Sequence, residues 1–334
     1  MSFKVLARPD LPTPLAEELL TKAGLTLVKA PIFTEEDLIQ NAADADAVLV
    51  GGIEPYTARV IRSMTKCKII SRSGIGYNNI DAEEATRQGI PVAIVLDASV
   101  QEVSDHVMAF LLAFSRKLLP LAQAVRDGRW VAGSPDIIRR RGKIFRLSEQ
   151  TLGIVGVGRI GTQVAHKARA FGMRVLGYDP YLTGEEMERR GAQKVDWDLL
   201  LRESDYVSIN APLTSETRHM FDWEAFRRMK PTAILINTAR GGIVDEKALY
   251  RAIVEGRIGG AGLDVTDPEP PARDNPMLKL DQVLITAHSA FYSETSVEEL
   301  YRKSIEAILM ALRGEWPPTL ANPEVRRQSN RRIP

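Results

Sequence analysis

Three glycines, in Gly156-Val157-Gly158-Arg159-Ile160-Gly161, sit between an apolar run, Thr151 to Val155, and an amphipathic stretch that ends at Gly172. Glycines at this spacing belong where a buried strand turns tightly into a helix. A second apolar run, Arg174 to Tyr178, follows and ends in Asp179, 18 residues after the last glycine. That is close to the roughly 20 residues expected of a dinucleotide-binding βαβ unit. Gly156 permits the turn, Gly158 lets main chain approach a pyrophosphate, and Gly161 lets helix pack on strand. The helix start offers unpaired N–H groups and partial positive charge to the phosphates. Asp179 can accept hydrogen bonds from ribose hydroxyls and would repel a 2′-phosphate. Pro180 and Tyr181, which follow it, supply no compensating cation. The expected cofactor is therefore NAD rather than NADP, with Arg159 and Ile160 on the same turn.

The rest of the chain extends this pattern in both directions. Upstream, β-type runs at Phe3–Leu6, Leu25–Lys29, Ala47–Val50, Lys68–Ser71 and Val92–Val95 alternate with amphipathic stretches such as Leu15–Ala23 and Glu35–Ala43. Downstream, strand cores follow at Tyr206–Ile209, Ala233–Ile236, Ala261–Val265 and Val283–Thr286. Strands alternating with helices imply parallel sheets covered on both faces. Two such series predict an α/β chain of two Rossmann-like domains. Two long helical stretches, Gln101 to about Asp127 and roughly Ser296 to Arg313, are the natural crossings between them. Pro120 is expected to break the first into two helices. The expected arrangement is a discontinuous, flavodoxin-like substrate domain from 1–101 and 292–334, with an inserted NAD-binding domain from 102–291. The last ten residues, Val325 to Pro334, carry four arginines and read as a frayed tail.

Bulk properties exclude several alternatives. With 44 Lys and Arg against 43 Asp and Glu, the chain has no basic excess to recruit nucleic acid or acidic lipid. A single cysteine, Cys67, allows no intramolecular disulfide and reads as a buried, inert thiol beside Ile69 and Ile70. No apolar run approaches the roughly 18 residues needed to span a bilayer. Neither a leader pattern nor paired Cys or His at metal-ligand spacing is present. The expectation is a cytoplasmic protein without a metal, a membrane or a nucleic-acid partner. The run Arg139-Arg140-Arg141-Gly142-Lys143 reads as a charged surface loop.

Ligands of doubly wound sheets gather at the carboxyl ends of the strands. Past Ile236 comes Asn237-Thr238-Ala239-Arg240-Gly241-Gly242; past Leu263 comes Asp264, then Asp267-Pro268-Glu269-Pro270; past Ile285 comes Thr286-Ala287-His288-Ser289. An arginine, a carboxylate and a histidine thus emerge from one domain. This set suits hydride exchange with a small 2-oxo or 2-hydroxy acid. Arg240 can hold a carboxylate in a planar fork and polarise the carbonyl. His288 can supply the proton that accompanies the hydride, and Glu269 can orient the imidazole. The other histidines look ordinary: His106 and His166 fall inside helical patterns and His219 in a loop, where structural or solvent-facing roles are expected.

These motifs together resemble the D-isomer-specific 2-hydroxyacid dehydrogenase family. The matching segments are Ser73-Gly74-Ile75-Gly76-Tyr77-Asn78-Asn79-Ile80-Asp81, the glycine turn with Asp179, Asn237 to Glu246, Gly262 to Pro270, and Ala287-His288. The resemblance implies that Arg240, Glu269 and His288 are the catalytic arginine, glutamate and histidine. It implies that Thr238, Ala239 and Asp264 lie beside the cofactor, and that Ala211, Pro212 and Thr217 cover its adenosine. It further implies that Ile75 and Gly76 present main-chain N–H groups to the substrate carboxylate. Finally, it implies a homodimer that exchanges the Gln101-to-Asp127 helices.

Within the family, Tyr178-Asp179-Pro180-Tyr181-Leu182 and His288-Ser289-Ala290-Phe291-Tyr292-Ser293-Glu294 resemble the C-terminal-binding-protein branch, which pairs dehydrogenase chemistry with NAD(H)-sensing corepression. The resemblance places Phe291 where that branch usually has a pocket-lining tryptophan. The phosphoglycerate-specific branch is disfavoured, because Gly51 stands where an arginine would hold the substrate phosphate, although Arg72 matches a second arginine. The expected activity is an NAD-dependent D-2-hydroxyacid dehydrogenase; the alternative is an NAD(H)-sensing binding protein of corepressor type with weak activity.

Overall fold

A computed structural model describes residues 3–10, 14–132, 135 and 142–333. The arginines 139–141 lie outside the described residues. In chain order the elements are β1 (Lys4–Ala7), α1 (Pro14–Lys22), β2 (Thr26–Lys29), α2 (Glu35–Ala42), β3 (Ala47–Val50), α3 (Ala58–Ser63), β4 (Ile69–Arg72), α4 (Ala82–Arg87), β5 (Val92–Ile94), α5 (Val100–Ser115) and α6 (Leu118–Arg126). Then follow β6 (Thr151–Val155), α7 (Arg159–Ala170), β7 (Arg174–Tyr178), α8 (Gly184–Arg189), β8 (Gln193–Lys194), α9 (Trp197–Glu203), β9 (Tyr206–Ile209), α10 (Trp223–Arg228), β10 (Ile234–Asn237), α11 (Glu246–Val254), β11 (Gly260–Leu263), β12 (Val283–Ile285) and α12 (Glu294–Leu312).

The chain divides into two compact units, Met1–Ser99 with Ser293–Pro334, and Val100–Tyr292. Each is an α/β unit around a sheet whose strand pairs are all parallel. In the first unit the strand order is β2-β1-β3-β4-β5. Alternate residues of its strands serve opposite faces. Leu6, Val48, Val50 and Ile70 pack with Leu38, Val60 and Ile61 on one side; Val5, Ala47, Leu49 and Ile69 pack with Leu20, Ile305 and Ile308 on the other. Burial on both faces is why these strands read as continuous apolar runs.

In the second unit the order is β12-β11-β10-β9-β6-β7-β8. The direction of strand succession reverses between β6 and β9, so the loops after these two strands diverge and leave a crevice at their carboxyl ends. The two-residue β8 has no apolar run to announce it. No single helix among the described residues is long and apolar enough to cross a membrane.

One expectation about the helices holds and one about the C-terminal segment is corrected. The long helical stretch is broken into two helices just ahead of Pro120, as expected. α5 and α6 meet at an angle of 61°, and the residue before α6, Lys117, has left-handed backbone at φ 55°. Pro120 sits in the first turn of α6, where a missing N–H forfeits no intrahelical bond. The C-terminal segment, in contrast, is not frayed. Val325 and Ile333 are fully buried. Arg332 Nη1 donates to the carbonyls of Met64 (2.6 Å) and Cys67 (2.8 Å), and its main-chain N–H to Gly89 O (2.9 Å). Counting arginines as solvent-seeking overlooked that one guanidinium carries five donors and can close off several free carbonyls. Cys67 is buried as expected, and burial pushes its thiol up to about 12.

Candidate active site

The crevice between β6 and β9 is built for close main-chain approach. Gly156 has φ 84°, and a Cβ on it would lie 2.7 Å from Ala211 N, so only glycine lets the two loops pass. A Cβ on Gly158 would meet nothing within 4 Å, leaving open space before the first turn of α7. No side chain caps that helix, so its first N–H groups remain for a ligand. Asp179, at the end of β7, accepts from Val157 N (3.1 Å) and Tyr181 N (3.0 Å), which fixes its carboxylate beside the turn. Thr217 Oγ1 donates to Pro212 O (2.6 Å) and ties down the loop that begins at Ala211. Two polar atoms at neighbouring strand ends, Asn210 Oδ1 and Thr238 Oγ1, are buried without a hydrogen-bond partner among the described residues. Orphaned acceptors and donors are costly unless a ligand or water meets them. Open space, a free helix start and unpartnered polar atoms together fit a bound dinucleotide.

At the carboxyl ends of β10, β11 and β12 the three sequence-predicted side chains come forward. Asn237 closes β10, taking the N–H of Ala239 on Oδ1 (3.0 Å) and giving Nδ2 to Arg240 O (2.9 Å). This fixes the backbone from which Arg240 projects. Burial lowers the Arg240 guanidinium from its ordinary value, and the charge of Glu269 opposes the shift. Next to it Gly241 is essential: a Cβ there would lie 2.1 Å from Thr266 O. The Arg240 turn is thereby pressed against the loop that carries Glu269.

That second loop is held at its base by Glu246, which accepts from Asp267 N (2.8 Å). Pro268 and Pro270 then restrict the backbone on either side of Glu269. Glu269 Oε1 is hydrogen-bonded to His288 Nδ1. His288 has φ 49°, a costly backbone for any residue with a Cβ. Its N–H is held by Asp264 O (2.9 Å). Phe291 stands edge-on to the imidazole with ring centroids 6.4 Å apart, as an aromatic wall beside it.

Asp264 differs from the sequence picture in what surrounds it. Its carboxylate is 1% exposed and accepts from Thr286 Oγ1 (2.5 Å), Ser289 N (2.9 Å) and Ala290 N (2.9 Å). It thus organises the His288 loop from below. Neither this nor the roles of Asn237 and Glu246 has a local signature; only the strand-end position of these polar residues hints at it. Ile75 and Gly76 belong to the other unit, on the loop after β4.

Residues 108–290 match the family described as D-isomer specific 2-hydroxyacid dehydrogenase, NAD binding domain. The chain is 41% identical over 289 residues to a glyoxylate reductase of Korarchaeum cryptofilum, covering 86% of each. It is 40% identical to a D-3-phosphoglycerate dehydrogenase of Methanocaldococcus jannaschii, covering 86% of this chain and 54% of that protein. Among solved structures, the D-lactate dehydrogenase of Aquifex aeolicus, complexed with NAD and lactic acid, superposes with a TM-score of 0.83 at 28% identity, covering 96% of this chain and 99% of that one. The chain belongs to the D-isomer specific 2-hydroxyacid dehydrogenase family of oxidoreductases, and its cofactor is NAD(H).

Proposed function

We propose that the protein reduces a small, unphosphorylated 2-oxo acid with NADH to the D-2-hydroxy acid. One observation carries this: Arg240, Glu269 and His288 stand at adjacent strand ends of one sheet, with His288 Nδ1 bound to Glu269. That bond leaves Nε2 as the ring nitrogen that holds the transferable proton. When bound, NADH supplies the hydride. Arg240 binds the carboxylate and draws charge from the carbonyl, and His288 Nε2 protonates the developing alkoxide. Gly156, Gly158, Arg159, Ile160, Gly161, Asp179, Ala211, Pro212, Thr217, Thr238 and Ala239 are the residues we assign to the cofactor. Asp264 is assigned beside them. On the substrate side we assign Arg240, Phe291, Ile75 and Gly76, the last two on the family resemblance.

The first unit supports the absence of a phosphate on the substrate. Glu54 is fully buried and takes the N–H groups of Gly51 (3.0 Å) and Ile53 (3.2 Å), main-chain donors otherwise open to an anion. Arg72 gives Nε to Gly76 O (2.9 Å) and Nη1 to Ser73 O. Its guanidinium is engaged in holding its own loop. A panel of glyoxylate, hydroxypyruvate, phosphohydroxypyruvate, 2-oxoglutarate and phenylpyruvate, followed by NADH oxidation, tests the reading. Turnover is expected with glyoxylate or hydroxypyruvate, and at least about 100-fold less, ~2.7 kcal/mol in transition-state binding, with phosphohydroxypyruvate. Phosphohydroxypyruvate as best substrate would overturn it. No turnover on any acid, with NADH still bound, would favour the NAD(H)-sensing alternative that the Tyr178–Leu182 and His288–Glu294 segments suggest.

A homodimer is part of the proposal. Leu118, Leu119 and Val125 of α6, with Trp130 and Val131 beyond it, are exposed. Such an apolar group is commonly covered by a partner. Sedimentation should give a species of twice 37.0 kDa, and a monomer at micromolar concentration would refute the assignment.

A further inference from the structure

The loop that carries His288 is braced from a helix far away in sequence. His106, in the second turn of α5, places Nε2 3.1 Å from Thr286 Oγ1 and 3.8 Å from Asp264 Oδ1. Its ring stands perpendicular to Phe110, with centroids 4.7 Å apart. Phe110 in turn lies so close to Gly262 of β11 that an added Cβ there would come within 2.8 Å of the ring. The imidazole is therefore fixed by packing, not merely placed near the sheet.

The proton inventory sets the direction of each bond. An ionised carboxylate only accepts, and Asp264 already receives the N–H groups of Ser289 and Ala290. Thr286 has one hydroxyl proton, and it points to Asp264 Oδ1 at 2.5 Å. The lone pairs that remain on Thr286 Oγ1 face His106, so Nε2 carries a hydrogen and donates. The chain of donors runs His106, Thr286, Asp264. Asp264 then anchors both residues that follow His288, while its own carbonyl holds the His288 N–H.

This arrangement meets a need. A histidine at φ 49° stays there only where its surroundings over-determine the backbone. We propose that His106 is a positioning residue for His288, acting through Thr286 and Asp264. It rests on the reading of His288 as the proton donor. Removing the His106 donor frees the Thr286 hydroxyl to turn away and loosens one side of Asp264. Displacements of under an ångström at a reacting group suffice to slow catalysis severalfold or more.

The test is steady-state NADH oxidation with glyoxylate, and hydroxypyruvate in parallel, on the full chain. His106→Leu is expected to lower kcat about tenfold and to change KM for the acid less than about threefold. His106→Gln, whose amide N–H can still reach the hydroxyl, should recover to within about threefold of the native kcat. Thr286→Val, close in shape, should match His106→Leu. The double variant should be no slower than either single one, since both cut the same chain. Native kcat in His106→Leu, equal impairment in the Gln variant, or multiplied losses in the double variant would each overturn the proposal. If the Leu variant fails to fold, Thr286→Val and the Gln variant decide in the same way. His288→Ala is assayed alongside. Native turnover there would remove the proton-donor reading, and this inference with it. Collapse there, with His106→Leu unchanged, would remove this inference alone.

Discussion

Replacing His288 with alanine is expected to lower kcat by two to four orders of magnitude, roughly the range that general acid–base catalysis supplies. The magnitude follows from the roles the geometry leaves open. Nδ1 is taken by Glu269, so Nε2 is the nitrogen that, in the proposed reaction, would protonate the substrate oxygen. Both side chains are about 40% exposed at the rim of the strand ends, at 40% and 39%, so a proton can be replenished from water after each turnover. NADH affinity should stay within about threefold, because the side chain lost belongs to no part of the β6–β9 crevice. The effect should thus fall on kcat and kcat/KM together, the mark of an interaction made in the transition state. Turnover with glyoxylate or hydroxypyruvate, together with NADH fluorescence titration, measures both. A kcat within about threefold of native would take His288 out of the mechanism. A matching loss of NADH binding would mean that the loop, rather than the ring, had been damaged.

How much of this could be read before the fold was known depends on the range of the interaction. The two parallel sheets were legible because the strands other than β8 are short apolar runs, most of them followed by a helix, and strands such as β3, β7 and β9 fall where the runs lie. The catalytic candidates were legible for a related reason. Arg240, Glu269 and His288 follow closely on apolar strand cores, and the ends of parallel strands are where ligands gather. Residues whose role depends on distant partners were not legible. His106 is 180 positions from Thr286, and on α5 it looks like any helical histidine. The docked C-terminal segment is a similar case, since Arg332 reaches carbonyls more than 260 residues away. The break at Pro120 was legible because its ring excludes the carbonyl four residues back, so a new helix has to start just ahead of it. The exact point of the break, at Lys117 in a left-handed conformation that lysine rarely adopts, is not announced by the sequence.

Arg240→Lys keeps the charge, yet kcat/KM is expected to fall about 100-fold or more, ~2.7 kcal/mol in transition-state binding. Two causes add. First, the guanidinium offers parallel N–H bonds in the plane of a carboxylate, while an ammonium is a point charge on a flexible stem. Losing one charge-assisted hydrogen bond costs about 1.5–3 kcal/mol. Second, the site is unkind to a lysine. Burial already lowers the Arg240 guanidinium, with Glu269 opposing. Arginine begins so far above neutrality that it stays charged. Lysine begins lower and is more strongly hydrated, so the same burial weighs more on it. A lowered amine loses its proton as pH rises. The variant should therefore lose affinity for the 2-oxo acid as pH rises from 7 toward the ordinary lysine range of about 10, while the native protein keeps its cation throughout. Measuring kcat and KM for glyoxylate or hydroxypyruvate across that interval separates the two causes. A uniform deficit at every pH points to the lost fork, and a deficit that grows with pH points to the lost charge. A near-native rate at pH 7 would mean that Arg240 does not grip the carboxylate by its plane.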